Sequence, residues 1–201
     1  MKLRRIFAAI SICSTLGTLA LGCDDHLIIV NEPRKKPKPV ASADKPTEEL
    51  PHAEVGALVP AVSLSRFRSE EDVELYRMRG GVTVVYFFAS WSKPSVAGLE
   101  PYRDLANHLS NRKVSMIAVA EDADESMDRV QLVIDQNAPD VMVALDRDHK
   151  LGLAFGVEDL PAVAVIDPDG IVRFLRTTPK GKDDLKDVEA SILSVLKTAR
   201  L

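Results

Sequence analysis

The sequence predicts an α/β domain in which helices flank a central mixed β-sheet, with a disordered tether in front of it. Residues 82–88 are an unbroken run of β-branched and aromatic residues, typical of a strand buried on both faces of a sheet. Shorter runs of this kind alternate with segments whose apolar residues recur at helical spacing. The alternation spans residues 55–201, which we interpret as the folded domain.

The first 22 residues are organised like a secretory signal peptide. Basic residues precede an apolar, small-residue run over residues 6–21, which is too short and too rich in Ser and Thr to favour a membrane span. An uncleaved anchor helix is the alternative interpretation. Residues 19–22 before Cys23 resemble the lipobox of bacterial lipoproteins, although Ala20 and Leu21 stand in the reverse of the usual order. This resemblance implies lipid attachment at Cys23, which would tether an exported protein to a membrane of the bacterial cell envelope.

A linker is predicted between that anchor and the domain. Residues 31–51 contain five prolines, mixed charges and almost no large apolar side chains, so they cannot bury enough surface to offset the entropy of ordering. We therefore interpret residues 23–54 as lipid anchor and disordered linker. The domain after them would face the periplasm or the exterior.

Charge and cysteine content exclude several functions. A formal net charge of −4 supplies no basic surface for a phosphate backbone, so we expect no nucleic-acid partner. The chain has two cysteines, Cys13 and Cys23, which exclude a disulfide framework. Cys13 lies in the predicted signal peptide. If Cys23 is lipidated, the mature protein has no free thiol.

The first half of the domain predicts a β-α-β-α order. After the strand at 82–88, Pro94 suits the first turn of a helix that runs to Leu109, and Pro101 predicts a kink in it. Residues 114–120 predict a second buried strand. Residues 122–137 predict a helix whose first turn is acidic, and we interpret its leading carboxylates as solvated. These carboxylates are Glu121, Asp122, Asp124 and Glu125.

The second half predicts shorter elements. A strand at 141–145 precedes a short helix around residues 149–155. Pro161 opens a strand at 162–166, and the Asp-Pro-Asp-Gly sequence that follows is typical of a tight turn into an antiparallel partner strand at 171–175. The last helix is predicted over 183–200 from its single apolar stripe.

Four segments together resemble the thioredoxin superfamily, in particular its exported TlpA/ResA-like redoxin branch. They are residues 55–64, 82–95, 156–161 and 166–172. The resemblance implies a thioredoxin-like fold, with a cis peptide bond before Pro161 facing the active-site loop. It also implies thiol-disulfide oxidoreductase activity, which in the family depends on a Cys-x-Pro-Cys motif.

The motif positions carry no thiol in this chain. The corresponding residues are Ser92-Lys93-Pro94-Ser95, and a serine hydroxyl cannot form the mixed disulfide that exchange requires. Tyr86 stands where the family often has a carboxylate or polar group for proton transfer. We predict that the oxygen of Ser92 caps the helix by accepting a backbone N–H. A nucleophilic Ser92 would need an oriented general base, and neither His108 nor His149 lies in a motif that supplies one.

We predict no cofactor and no metal site, because the histidines have no ligand spacing. They are His26, His52, His108 and His149. The favoured function is a membrane-tethered thioredoxin-like domain that binds an envelope protein or an extended peptide without redox chemistry. We expect its groove to be formed by four residues, namely Trp91, Ser92, Leu160 and Pro161. A TlpA/redoxin-type oxidoreductase and a purely structural envelope lipoprotein are the alternatives.

Overall fold

The computed structural model describes residues 52–181 and 184–199. The predicted signal peptide of residues 1–22, the lipid attachment at Cys23 and the linker of residues 31–51 lie outside the described residues and stay predictions.

The domain is built on a seven-stranded mixed sheet with the strand order β2-β1-β5-β4-β3-β6-β7. The strands are β1 Ser63–Arg66, β2 Asp72–Glu74, β3 Val82–Phe88, β4 Val114–Ala120, β5 Met142–Leu145, β6 Ala162–Ile166 and β7 Val172–Arg176. The pairs β3–β4 and β4–β5 are parallel, and the other pairs are antiparallel. The predicted fold class, a central mixed sheet flanked by helices, is confirmed.

Four α-helices flank this sheet. They are α1 Lys93–His108, α2 Met127–Asn137, α3 Lys150–Ala154 and α4 Asp184–Ala199. Short 3₁₀ turns occur at Leu75–Arg77, Ser110–Arg112 and Asp124–Ser126. Among the described helices, none has the length and apolar character that crossing a membrane requires.

Strand β3 separates two hydrophobic cores, and all seven of its residues are buried. Val84 and Tyr86 point into the core formed with α1, α2 and α4, whereas Val85 and Phe87 point into the core formed with α3 and the chain before β1. Burying a side chain such as Phe87 stabilises the fold by about 2 kcal/mol. This double burial explains why the strand has no polar alternation in its sequence.

The segment that leads into β1 pairs with the start of β7, on the side of β7 that faces away from β6. The N–H of Gly56 donates to the carbonyl of Val172 at 2.8 Å, and the N–H of Val172 donates to the carbonyl of Ala57 at 2.9 Å. Leu58 forms an isolated antiparallel bridge with Ile171. At the opposite border, β2 is three residues long and carries the charged Asp72 and Glu74.

Most predicted elements are found within two residues of their predicted bounds, and both long strands match to the residue. The predicted helix over 122–137 is wrong in its first turn. Glu121 and Asp122 are buried at the end of β4, the chain then makes a 3₁₀ turn, and α2 begins at Met127. The β1–β2 hairpin has no clear signal in the sequence, because its strands are short and partly polar.

Candidate functional site

The topology brings four loops to one edge of the sheet. Parallel strands β3, β4 and β5 end there, in register at the pairs Phe88–Ala120 and Ala120–Leu145. Antiparallel β6 begins at the same edge, because its first residue, Ala162, pairs with Phe87. The four predicted groove residues, Trp91, Ser92, Leu160 and Pro161, therefore lie in loops along this edge, which we call the site edge.

At the site edge, Ser92 and Ser95 form a hydroxyl pair at the start of α1. Both residues are buried, and the Ser95 Oγ–H donates to Ser92 Oγ at 2.9 Å. Ser92 occupies the residue position before the helix, and its backbone carbonyl accepts from Val96 N–H at 3.0 Å. Its side chain makes no hydrogen bond to the backbone of α1. The predicted side-chain cap is therefore wrong, because the Ser95 hydroxyl is the partner of Ser92 Oγ.

Beneath this pair, Tyr86 links β3 to the first turn of α1. Its hydroxyl donates to the backbone carbonyl of Ser95 at 2.9 Å, and its ring lies 4.8 Å from that of Tyr102. Burial raises the pKa of Tyr86 far above its ordinary value, with a smaller contribution from Tyr102. The residue at the family's proton-transfer position is thus a neutral phenol that supports the helix, and it does not titrate in the physiological range.

A buried carboxylate fixes the loop between β3 and α1. Asp122, which is 1% exposed, accepts the N–H of Ser90 at 2.8 Å and the Oγ–H of Ser90 at 2.6 Å. Both oxygens of one carboxylate therefore hold one residue of the loop, two positions before Ser92. Sequence reasoning missed this contact because the partners are 32 residues apart.

The other predicted groove residues differ in exposure. Trp91 is 63% exposed, while Leu160 is partly buried against the second core. The peptide bond between Leu160 and Pro161 is cis, as the resemblance implies. The N–H groups of Glu158 and Asp159 both donate to the carbonyl of Thr177, which ties the approach to Pro161 to the end of β7. The structure brings these residues to one edge, and their joint action in binding stays a prediction.

Glu121 also departs from the sequence interpretation. Its carboxylate is buried at the site edge, where Oε2 accepts a hydrogen bond from His149 Nδ1. The sequence signal for this burial is that Glu121 directly continues a strand whose last five residues are all buried. In the ranges 52–181 and 184–199, no group of three His, Cys, Asp or Glu side chains is arranged to hold a metal ion.

Comparison with known proteins decides the family. Residues 54–192 match the Redoxin family model, which spans the sheet, the four loops of the site edge and most of α4. The chain belongs to the Redoxin family. Solved thioredoxin-like structures share its architecture, and the resemblance of the domain sequence to the thioredoxin superfamily is confirmed.

Curated relatives of this Redoxin chain include the thiol-disulfide oxidoreductase ResA of Bacillus thuringiensis (strain Al Hakam) and that of Bacillus anthracis. Each is 30% identical over 100 residues, covering 50% of this chain and 57% of the relative. The chain therefore matches little more than half the length of these two relatives.

Solved structures place the Redoxin domain in the same fold. A protein from Chlorobium tepidum assigned as the thiol:disulfide interchange protein DsbE superimposes with a TM-score of 0.63 at 22% identity, covering 72% of this chain and 99% of the other. A secreted Mycobacterium tuberculosis disulfide oxidoreductase homologous to Escherichia coli DsbE superimposes with a TM-score of 0.56 at 16% identity, covering 67% and 96%. At these identities the likeness shows the fold alone.

Proposed function

We propose that this Redoxin-family protein binds an extended polypeptide in the bacterial cell envelope and carries out no thiol-disulfide exchange. The observation that carries the proposal is the Ser92–Ser95 hydroxyl pair at the start of α1, where the family motif has two cysteines. The alternative, an oxidoreductase, fits the names of the ResA relatives.

Exchange needs a thiolate that attacks a disulfide sulfur and a second thiol that resolves the mixed disulfide. The cysteines of the chain, Cys13 and Cys23, both precede the family match at residues 54–192. The hydroxyl of Ser95 donates to that of Ser92, and the phenol of Tyr86 donates to a backbone carbonyl. No group in this set of contacts supplies a sulfur nucleophile or takes up its proton.

Binding uses features of the site edge that require no sulfur. Trp91 presents a largely exposed indole, and tryptophan is enriched among the residues that dominate interface energies. The backbone near Pro161 can pair with an extended peptide through main-chain hydrogen bonds, which give affinity with little sequence dependence. Asp122 and Thr177 hold the two flanking loops, so the edge is pre-organised before a ligand arrives.

The envelope location belongs to the same proposal. It is supported by the signal-like residues 1–22, by the lipobox-like residues before Cys23, and by the secreted Mycobacterium tuberculosis relative. Lipid on Cys23 would tether the domain to the membrane.

The redox part is tested by reduction of insulin disulfides with dithiothreitol as electron donor. The wild-type chain is expected to give the uncatalysed rate, because its motif positions carry hydroxyls. The double variant Ser92→Cys/Ser95→Cys restores both thiols on the same helix start and is the positive control. Catalysis by the wild-type protein would contradict the proposal.

The binding part is tested with an unfolded, cysteine-free polypeptide. Trp91 is the only tryptophan in the chain, so its fluorescence reports directly on occupation of the site edge. Replacing Trp91 with alanine is expected to weaken binding, measured by calorimetry, by about 10-fold, or ~1.4 kcal/mol. The matched control is Leu132→Ala, which removes an exposed apolar side chain from α2, is 56% exposed, and is expected to leave the affinity unchanged. If the wild-type protein binds no such polypeptide, the structural-lipoprotein alternative is favoured.

A further inference from the structure

Three titratable side chains meet at the site edge. Glu121 follows β4, Asp146 follows β5, and His149 precedes α3. The side chain of Glu121 is 7% exposed and Asp146 is 1% exposed, whereas the imidazole of His149 is 57% exposed. We call these residues the carboxyl–histidine cluster.

Inside the cluster, one oxygen of Glu121 has no partner when the group is a carboxylate. Oε2 accepts from His149 Nδ1, but Oε1 is fully buried and accepts no hydrogen bond. A methyl group on Gly152 would lie 2.6 Å from Oε1, so α3 packs directly against this oxygen. A proton on Glu121 turns its carboxyl group into a donor toward the neighbouring carboxyl group of Asp146.

The surroundings of Glu121 and His149 favour the protonated form of both groups. Burial raises the pKa of Glu121 to about 7, with a further contribution from Asp146 and an opposing one from His149. The hydrogen bond to Glu121 raises the pKa of His149, as do the charges of Glu121, Asp146 and Asp148. The neighbouring cations are paired with outer carboxylates, Arg147 with Asp124 and Lys150 with Asp148. Because these two cations are paired outside the cluster, protons neutralise its negative charge.

The cluster is connected by hydrogen bonds to the segment that carries Pro161. Asp146 Oδ2 accepts the N–H of Gly152 at 2.7 Å, and the carbonyl of Gly152 accepts the N–H of Val157 at 2.9 Å. Val157 begins the stretch that ends at the cis bond before Pro161. The position of that stretch therefore depends on α3 staying packed against the two carboxyl groups.

We propose that protons on Glu121 and His149, next to the buried carboxyl group of Asp146, hold α3 against the sheet, so that the loss of these protons as the pH rises weakens polypeptide binding at the site edge. The proposal rests on the proposed binding function for its last step. Its first step, the proton-dependent packing of α3, is independent of any ligand.

The direction of the pH effect follows from linkage. The folded-state pKa of Glu121 lies above its ordinary value of 4.5, so the folded protein binds this proton more tightly than the unfolded chain. The stabilisation is present in full below pH 4.5 and is lost as the pH rises to about 7. His149, whose pKa is also raised, loses its contribution above its own ordinary value of 6.5. Both groups therefore make the folded protein more stable at mildly acidic pH than at basic pH.

The test compares the wild-type chain with Glu121→Gln from pH 5.5 to 8.5. Glutamine keeps the shape, donates to Asp146 without a titrating proton, and accepts from His149. Between the two pH values the folding equilibrium constant of the wild type, from urea unfolding, is expected to fall about 10-fold more than that of the variant. The His149 imidazole, followed by NMR, is expected to titrate at a lower pH in the variant. The matched control Glu125→Gln, at an exposed acid of the same loop, should keep the wild-type pH dependence.

Polypeptide affinity is measured over the same pH range. The whole proposal is supported if the affinity of the wild type falls as the pH rises and the affinity of Glu121→Gln does not change. Equal pH dependence of stability in wild type and variant overturns the proton-dependent packing of α3, whatever the binding result. If the stability difference depends on pH but binding does not, the coupling of the cluster to the site edge is overturned. If no binding is found at any pH, the proposed function is the part that fails.

Discussion

Replacing Gly98 with alanine is expected to destabilise the domain by about 3 kcal/mol, although alanine is the better helix former by about 1 kcal/mol. Gly98 lies in α1 directly over Tyr86, and an added methyl group would overlap the phenol oxygen and lie 3.0 Å from its Cζ. Strand β3 is buried on both faces, so the clash can be relieved only if α1 moves outward, which costs core contacts made by buried residues such as Leu99. Urea unfolding measures the effect.

Two variants separate this clash from other causes. Ala97→Gly changes an exposed neighbour in the same helix and is expected to cost only the propensity difference of about 1 kcal/mol. Adding Tyr86→Phe to Gly98→Ala removes the overlapping oxygen and is expected to recover a large part of the lost stability. If Gly98→Ala alone were as stable as the wild type, the tyrosine would not lie where the structure has it.

Replacing Asp122 with alanine is expected to lower the free energy of unfolding by about 3 kcal/mol. The change removes two charge-assisted hydrogen bonds and leaves the N–H and the hydroxyl of Ser90 buried without their acceptor. It also frees the loop that positions Trp91 and Ser92, so polypeptide affinity is expected to fall together with stability. Thermal unfolding and calorimetric binding on the same samples measure both.

A double-mutant cycle isolates the contribution of the Ser90–Asp122 contact to the free energy of unfolding. Ser90→Ala keeps the backbone N–H bond to Asp122 and is expected to cost about 1 kcal/mol. Glu125→Ala, at an exposed acid three residues further on, is expected to stay within about 0.5 kcal/mol of the wild type. Fully additive losses in the double variant Ser90→Ala/Asp122→Ala would contradict a direct interaction between the two residues.

The sequence predicts those parts of the fold whose residue pattern fits only one environment. Strand β3 is an unbroken run of β-branched and aromatic residues, and β4 is apolar at every position except Ser115, a pattern typical of strands buried on both faces. The residues after β3 could be predicted as a site because Ser92, Pro94 and Ser95 occupy the positions of a family motif. The short β1 and β2 could not, because strands of four and three residues with charged ends resemble a polar loop.

The unpredicted parts of the site are contacts between distant residues. Asp122 and Ser90 are both ordinary polar residues in sequence, and only the parallel pairing of β3 with β4 brings them together. Glu121 was interpreted as solvated because buried carboxyl groups are rare, and its burial depends on Gly152, 31 positions later, having no side chain. Such pairings carry no local signal, so the structure is needed to find them.

The two outermost strands of the sheet, β2 and β7, affect how the protein behaves at high concentration. The chain before β1 occupies one border through its bonds to Val172, and the other border offers only the three residues of β2, two of them acidic. In the part of the chain that the structure describes, the sheet therefore offers no long, free strand onto which a second sheet could grow. We expect concentrated protein to resist strand-by-strand polymerisation.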